Sequence, residues 1–238
     1  MNTLVALETS TGFGSVAVGG GGRVLGEVGL GVNTRHAESL LPALEFLLRA
    51  TGIERRDIDG IVVGAGPGSF TGVRIAAATG RGLAQGLGVP LYAWSSLAAL
   101  ALDAVSAGPV CTLFDARRGE VYAACYDRAP GSDRLDTLIE PQPVTVPVLL
   151  TMLPTPRPDF AGEGAVRYAA ELGVAAPAWR VPRAAALLRL AEADPDSGHV
   201  TDSSGWEPTY LRASGAERGV ESGTERDMES GTGRGVAG

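Results

Sequence analysis

I-V-V-G-A-G-P-G-S-F-T-G-V-R-I-A-A-A-T-G-R-G-L-A-Q-G-L-G-V-P-L-Y-A-W, residues 61–94, is the stretch whose reading decides the fold. Ile61, Val62 and Val63 form an apolar run closed by glycine, the signature of a short buried strand. Gly64, Gly66, Pro67 and Gly68 make a loop that no ordinary side chain crowds. Ser69 is placed to cap a helix that runs to about Gly86. Pro90 interrupts, and Leu91 to Trp94 reads as a second strand. The unit is strand, glycine loop, helix, strand, an arrangement common in α/β proteins.

A glycine loop at a helix start gathers backbone N–H groups and the positive end of the helix dipole, a suitable place for an anion. Thr9, Ser10 and Thr11 in an earlier turn and Gly66, Gly68 and Ser69 here are the candidate anion-loop residues. A tight turn that binds nothing fits the same spacing. A Walker A loop is excluded, because that motif needs lysine and the chain has none. Within the helix, Gly72, Ala76, Gly80 and Ala84 recur every four residues and share a face. Glycines cost a helix about 1 kcal/mol each relative to alanine, so such a stripe implies close approach by another backbone. That backbone belongs either to the chain's own sheet or to a partner; the expectation adopted is a partner, with Val73 beside the stripe.

Working outward, Thr3–Thr9, Val16–Val18 and Arg23–Leu30 read as a three-strand meander. Asn33 and Thr34 cap a helix with Ala37, Leu40, Leu41, Leu44, Leu47 and Leu48 on one face, a 3.6-residue period. Pro42 inside it predicts a bend, and Gly52 stops it. His36, Leu40, Leu41, Leu44 and Leu47 join the helix stripe as the expected partner interface. Ser95 caps a further helix to about Val105. Val110–Asp115 and Glu120–Asp127 form a hairpin around A-R-R-G, and pairing Asp115 with Glu120 puts Cys111 opposite Ala124, not opposite Cys125. Arg117 and Arg118 at its tip read either as a solvated turn or as contacts for phosphate or an acidic partner. The proline-rich run from Ala129 to Pro158 yields only a short helix, Val146–Leu153. Phe160–Ala165 reads as a strand ending in a glycine turn, and Arg183–Ala193 as a helix with Ala186, Leu187 and Leu190 inward. Three eight-residue units of low apolar content from Ala213 to Gly238 predict a disordered tail.

The 238 residues carry a net charge of −7, which argues against unaided nucleic-acid binding through a broad basic surface. Two cysteines and two histidines make neither a disulfide framework nor a metal cluster. No signal-like start and no membrane-spanning run is found, so the expected place is the cytoplasm.

G-P-G-S-F-T-G-V-R-I at residues 66–75, G-L-A-Q-G-L-G-V-P-L, S-S-L-A-A-L, D-A-R-R-G-E-V-Y and P-T-Y-L-R together resemble the bacterial TsaB (YeaZ) family, from about Thr3 to Arg212. The resemblance implies an actin-like ATPase (ASKHA, ribonuclease H-like) α/β fold: two similar subdomains, 1–107 and 108–212, with mixed sheets flanked by helices, followed by the 213–238 tail. E-T-S-T-G-F-G-S at residues 8–15 is similar to the phosphate loop of actin-like ATPases, with Glu8 where the family usually carries aspartate. It either organises a metal–nucleotide or only satisfies amides of the turn, and the longer side chain favours the second.

The family resemblance also implies function. Its members are non-catalytic partners of the TsaD enzyme, which transfers threonylcarbamoyl from threonylcarbamoyl-AMP to A37 of tRNA. Enzymes of that kind carry a metal-binding H-x-x-x-H near the position of Trp94 to Leu100, where this chain reads W-S-S-L-A-A-L. The expectation is a scaffold with no catalytic residue, metal or cofactor of its own. Threonylcarbamoyl-AMP and the metal would be held by the TsaD-like subunit, ATP or ADP in the complex with a TsaE-like ATPase, and tRNA reached through the complex. Alone, the same surface would pair two copies into a homodimer. The alternative is an independent small actin-like kinase or peptidase using Glu8, Asp115 and Glu163.

Overall fold

A computed structural model describes residues 3–31, 36–104, 106, 108–128, 131–175 and 180–211. The expected caps Asn33 and Thr34 and the 213–238 tail lie outside these. In chain order the elements are β1 (Thr3–Glu8), β2 (Gly14–Gly20), β3 (Arg23–Leu30), α1 (His36–Thr51), β4 (Ile58–Gly64), α2 (Phe70–Leu87), β5 (Leu91–Trp94) and α3 (Ser96–Asp103). There follow β6 (Val110–Arg117), β7 (Glu120–Arg128), β8 (Leu135–Thr145), α4 (Val146–Met152), β9 (Asp159–Ala161), α5 (Glu163–Arg167), α6 (Ala169–Leu172), α7 (Ala184–Ala193) and α8 (Pro195–Gly198).

The strands form two sheets, ordered β3-β2-β1-β4-β5 and β8-β7-β6-β9. In each, the first three strands are antiparallel and the fourth joins in parallel. The second sheet therefore repeats the first, less one strand. The chain does not divide as simply: α7 returns to pack on β1 and β2 of the first sheet, and Val200 N donates to Leu91 O at the β5 edge. No helix of the described residues is long and apolar enough to cross a membrane.

Alternation along the strands splits the first sheet's core in two. Val5, Leu7, Val16 and Val18 face α1 and α2, meeting Leu40, Leu44, Leu47, Ala76 and Ala84. Leu4, Ala6 and Ala17 face α3 and α7, meeting Leu97, Leu100, Ala186, Leu187 and Leu190. The helix α1 runs on through Pro42, which lies on its exposed side.

Two expectations are corrected here. The strand β8 was not legible because Pro141 and Pro143 argue against a strand; both are tolerated on a sheet edge, where a missing N–H deprives no neighbour. The hairpin register also differs. Asp115 pairs with Val121 and Arg117 with Glu120, leaving Ala116 as an extra residue on β6. Arg118 and Gly119, both at positive φ, then make a two-residue turn of the kind hairpins favour. That one-residue shift brings Cys125 directly opposite Cys111.

Gly72, Ala76, Gly80 and Ala84 all turn inward. A Cβ on Gly80 would lie 2.2 Å from Val63 Cγ1, whereas Gly82, two residues on, has nothing within 4 Å. Gly80→Ala is therefore expected to lower stability by about 1–3 kcal/mol through overpacking. Gly82→Ala should raise it by about 0.5–1 kcal/mol through helix propensity. Urea denaturation of the two variants checks this, and shifts in the same direction would contradict the placement of the stripe.

Candidate functional site

Between the two sheets opens a cleft of about 670 Å³. Three chain turns, the β1–β2 loop at Ser10–Gly12, the β4–α2 junction at Pro67–Thr71 and the β6–β7 tip at Asp115–Arg118, line it together with Glu163 and the closing segment Thr209–Leu211.

The first two turns interlock backbone to backbone. Ser69 N donates to Ser10 O at 2.7 Å, and the Thr9 hydroxyl donates to Gly72 O at 2.6 Å. Glycine is needed at 68 and 72 for this approach. A Cβ at Gly72 would lie 1.9 Å from Thr9 O, and one at Gly68 2.2 Å from Ser10 O. Ser69 caps α2 by accepting from Gly72 N.

Glu8, at the end of β1, is wholly buried and turned away from the cleft lining. Its Oε1 accepts from Ser10 N at 2.6 Å and its Oε2 from the Ser96 hydroxyl at 2.8 Å. The glutamate thus satisfies an amide of the turn, as its length suggested. Burial raises its carboxyl above the ordinary glutamate range, against the lowering effect of the Ser10 and Ser96 hydrogen bonds.

Of the expected anion loop, Ser10, Thr11, Gly68 and Ser69 line the cleft, while Thr9 and Gly66 stand behind it. Two of the amides an anion would use, Ser10 N and Ser69 N, are already engaged within the loop pair. The Ser10 hydroxyl is buried.

Across the cleft, Arg117 and Arg118 are exposed on left-handed backbone, φ 63° and 57°. Asp115 accepts from Arg117 N at 3.0 Å and pairs with Arg167 at 3.5 Å. Burial, and then the nearby Asp115 charge, raise the Glu163 carboxyl. The cleft thus carries both signs of charge. Among the described residues no three His, Cys, Asp or Glu side chains converge to hold a metal.

Much of the expected partner surface lies elsewhere. Leu40, Leu44, Leu47, Gly72, Val73, Ala76, Gly80 and Ala84 are buried within this chain, so they are core rather than surface. The side chain of His36 lies outside the described residues, and Leu41 is exposed at 48%. The outward face of α2 is a second row of small residues, Ala78, Gly82 and Gly86, with open space around both glycines. Phe46 of α1 is also exposed, at 56%. At the α2 start, Tyr210 of the closing segment stacks near Phe70 at 5.2 Å and accepts from Arg74 Nε at 3.0 Å. The second row was present in the sequence at the same spacing as the first. Periodicity identifies a face but not which of two small faces turns inward.

A sequence model of the family described as TsaD, tRNA N6-adenosine threonylcarbamoyltransferase, matches residues 28–186. The tRNA threonylcarbamoyladenosine biosynthesis protein TsaB of Haemophilus influenzae is 31% identical over 221 residues, covering 88% of this chain and 93% of that protein. The chain belongs to the TsaB (YeaZ) family. The TsaB of Bacillus subtilis is 34% identical over 152 residues, 63% of this chain, and the match spans 66% of its own length. A solved TsaB-family structure, YeaZ from Pseudomonas aeruginosa, superposes with a TM-score of 0.72 at 36% identity, covering 89% of this chain and all of that one. The two mixed sheets flanked by helices are accordingly the actin-like, ribonuclease H-like α/β fold.

A pH dependence follows from Glu8. A carboxyl whose folded value is raised favours the fold at low pH, and that contribution is lost as pH rises through the folded value. Glu8→Gln keeps the shape and removes the charge. Its melting temperature is expected to exceed that of the wild type near neutral pH, with the gap closing toward about pH 4, close to the ordinary glutamate value. A gap that widens on acidification would contradict the buried, raised carboxyl.

Proposed function

We propose that this chain is the non-catalytic partner subunit in formation of tRNA N6-threonylcarbamoyladenosine, pairing with a TsaD-type transferase in the cytoplasm. The transferase supplies the metal and holds threonylcarbamoyl-AMP, and this chain contributes no cofactor. A TsaE-like ATPase and tRNA meet the assembled complex.

The observation that carries this reading is α3. Where the sequence resemblance places the ligand-bearing segment of the transferase, this chain has a helix in which Ser96, Leu97, Ala98, Ala99 and Leu100 are all buried as core. An open catalytic metal site requires about three protein ligands facing a cavity, and a helix packed between α7 and β6 has no such face. The homologues' names support the pathway, and the family match supports the kinship with the transferase.

The surface offered to the partner is the outer side of α1 and α2. Exposed glycines inside an 18-residue helix lower its propensity with no compensating contact in this chain. A second helix crossing at Ala78, Gly82 and Gly86 supplies that contact, with Leu41 and Phe46 alongside. A second copy of this chain fits the same face when the transferase subunit is absent.

The double variant Gly82→Leu, Gly86→Leu tests this directly. Both positions are open and leucine is the better helix former, so the variant is expected to fold with undiminished stability. Its affinity for the purified transferase subunit, read by titration, should fall at least tenfold, about 1.4 kcal/mol. Threonylcarbamoyladenosine in cellular tRNA, read by nucleoside mass spectrometry, should fall with it. Undiminished affinity would move the partner surface elsewhere.

A further inference from the structure

The two cysteines stand apart from everything assigned so far. Cys111 on β6 and Cys125 on β7 are direct cross-strand partners, both with 0% exposure. They lie on the outer face of the second sheet with Leu113, Val121, Ala123, Leu149 and Leu172. Directly opposed residues of an antiparallel pair have Cα atoms about 4.5–5.5 Å apart, within the roughly 4.4–6.8 Å that a disulfide spans. The two thiols are near enough for each to shift the other's titration.

Their cover is thin on one side. The β7–β8 ladder shifts register on both sides of Cys125, between Ala123 and Cys125 and again between Cys125 and Tyr126. Each shift leaves a residue of β8 unpaired and weakens the ladder locally. The strand β8 is a sheet edge, and it carries Pro141 and Pro143. The helices packed in the same cluster, α4 to α6, are short, of seven, five and four residues. Local opening starts from elements of this kind.

We propose that Cys111 and Cys125 are a reversible modification site, oxidised to a cross-strand disulfide by a hydroperoxide admitted at the irregular β8 edge. Cys125, which sits on β7 between the two register shifts of the β8 ladder, is the attacking sulfur. The neighbouring Cys111 draws the Cys125 thiol below its usual range, while the same interaction and burial push Cys111 up. The thiolate attacks one peroxide oxygen and the O–O bond breaks. The sulfur becomes a sulfenic acid, and the leaving alkoxide takes up the Cys125 proton as the alcohol. Cys111 then attacks the Cys125 sulfur and the S–O bond breaks, hydroxide leaving with the Cys111 proton as water. Two thiols and one hydroperoxide give one disulfide, one alcohol and one water, with two electrons passing from sulfur to oxygen.

Hydrogen peroxide applied to the folded full-length chain, followed by denaturation and alkylation, tests this. The alkylatable thiols are expected to fall from the two in the sequence to none, and to return on treatment with dithiothreitol. Trypsin cuts at Arg117 and Arg118, between the cysteines, so the disulfide is read as a linked pair of peptides that reductant separates. In Cys111→Ser, Cys125 is expected to stop at sulfenic acid and be trapped by dimedone. In Cys125→Ser, Cys111 should stay reduced at the same peroxide dose. Two alkylatable thiols after treatment, a linkage between chains, or oxidation that dithiothreitol does not reverse would each overturn the proposal, and these wild-type readings do not depend on either variant folding.

Discussion

The structure depends on the contact between the β1–β2 loop and the first turn of α2. Two segments distant in sequence meet there at glycines 68 and 72, held by Ser69 N to Ser10 O and by the Thr9 hydroxyl to Gly72 O. A methyl group at either glycine would overlap a carbonyl oxygen. With α2 seated this closely, Gly80 rests on Val63 and Ile61 of β4, and the apolar face of the first sheet is closed. The cleft then forms by default between this joint and the tip of the β6–β7 hairpin.

The same joint engages part of the cleft edge. Two of the amides there, Ser10 N and Ser69 N, are taken up in meeting Glu8 and in holding the loop to the helix. Glu8 in turn is fastened to Ser96 on α3 rather than directed at the cleft. Burying a carboxyl without a basic partner raises its protonation range, and here two hydrogen bonds hold it in place. A loop similar to a phosphate loop has become a structural clasp, which fits the proposed scaffold role.

Arginines on and just before α7 pair with acidic residues of other elements. Arg189 of α7 binds Asp133 at 2.9 Å beyond β7 and Asp103 of α3 at 3.3 Å. Arg183, just before α7, meets Glu27 of β3. Because α7 follows the second sheet in sequence yet packs on the first, the pairs with Asp103 and Glu27 tie together parts of the chain that a cut near residue 107 would place in different units.

Taken alone, the sequence determined the order of elements around residues 61–94, the meander before them, the inward face of α7, and the family. Each is local or periodic information, carried by apolar spacing, caps and glycine turns. Tertiary structure alone decided three other matters. It chose which of two equally spaced small-residue rows on α2 turns inward, because that depends on which row meets the sheet; Gly80 meets Val63 and Gly82 meets nothing. It admitted β8 despite Pro141 and Pro143, because only sheet order reveals an edge. It set Cys111 opposite Cys125, because one extra residue at Ala116 displaces the register of the whole hairpin, and no side-chain pattern marks a one-residue bulge.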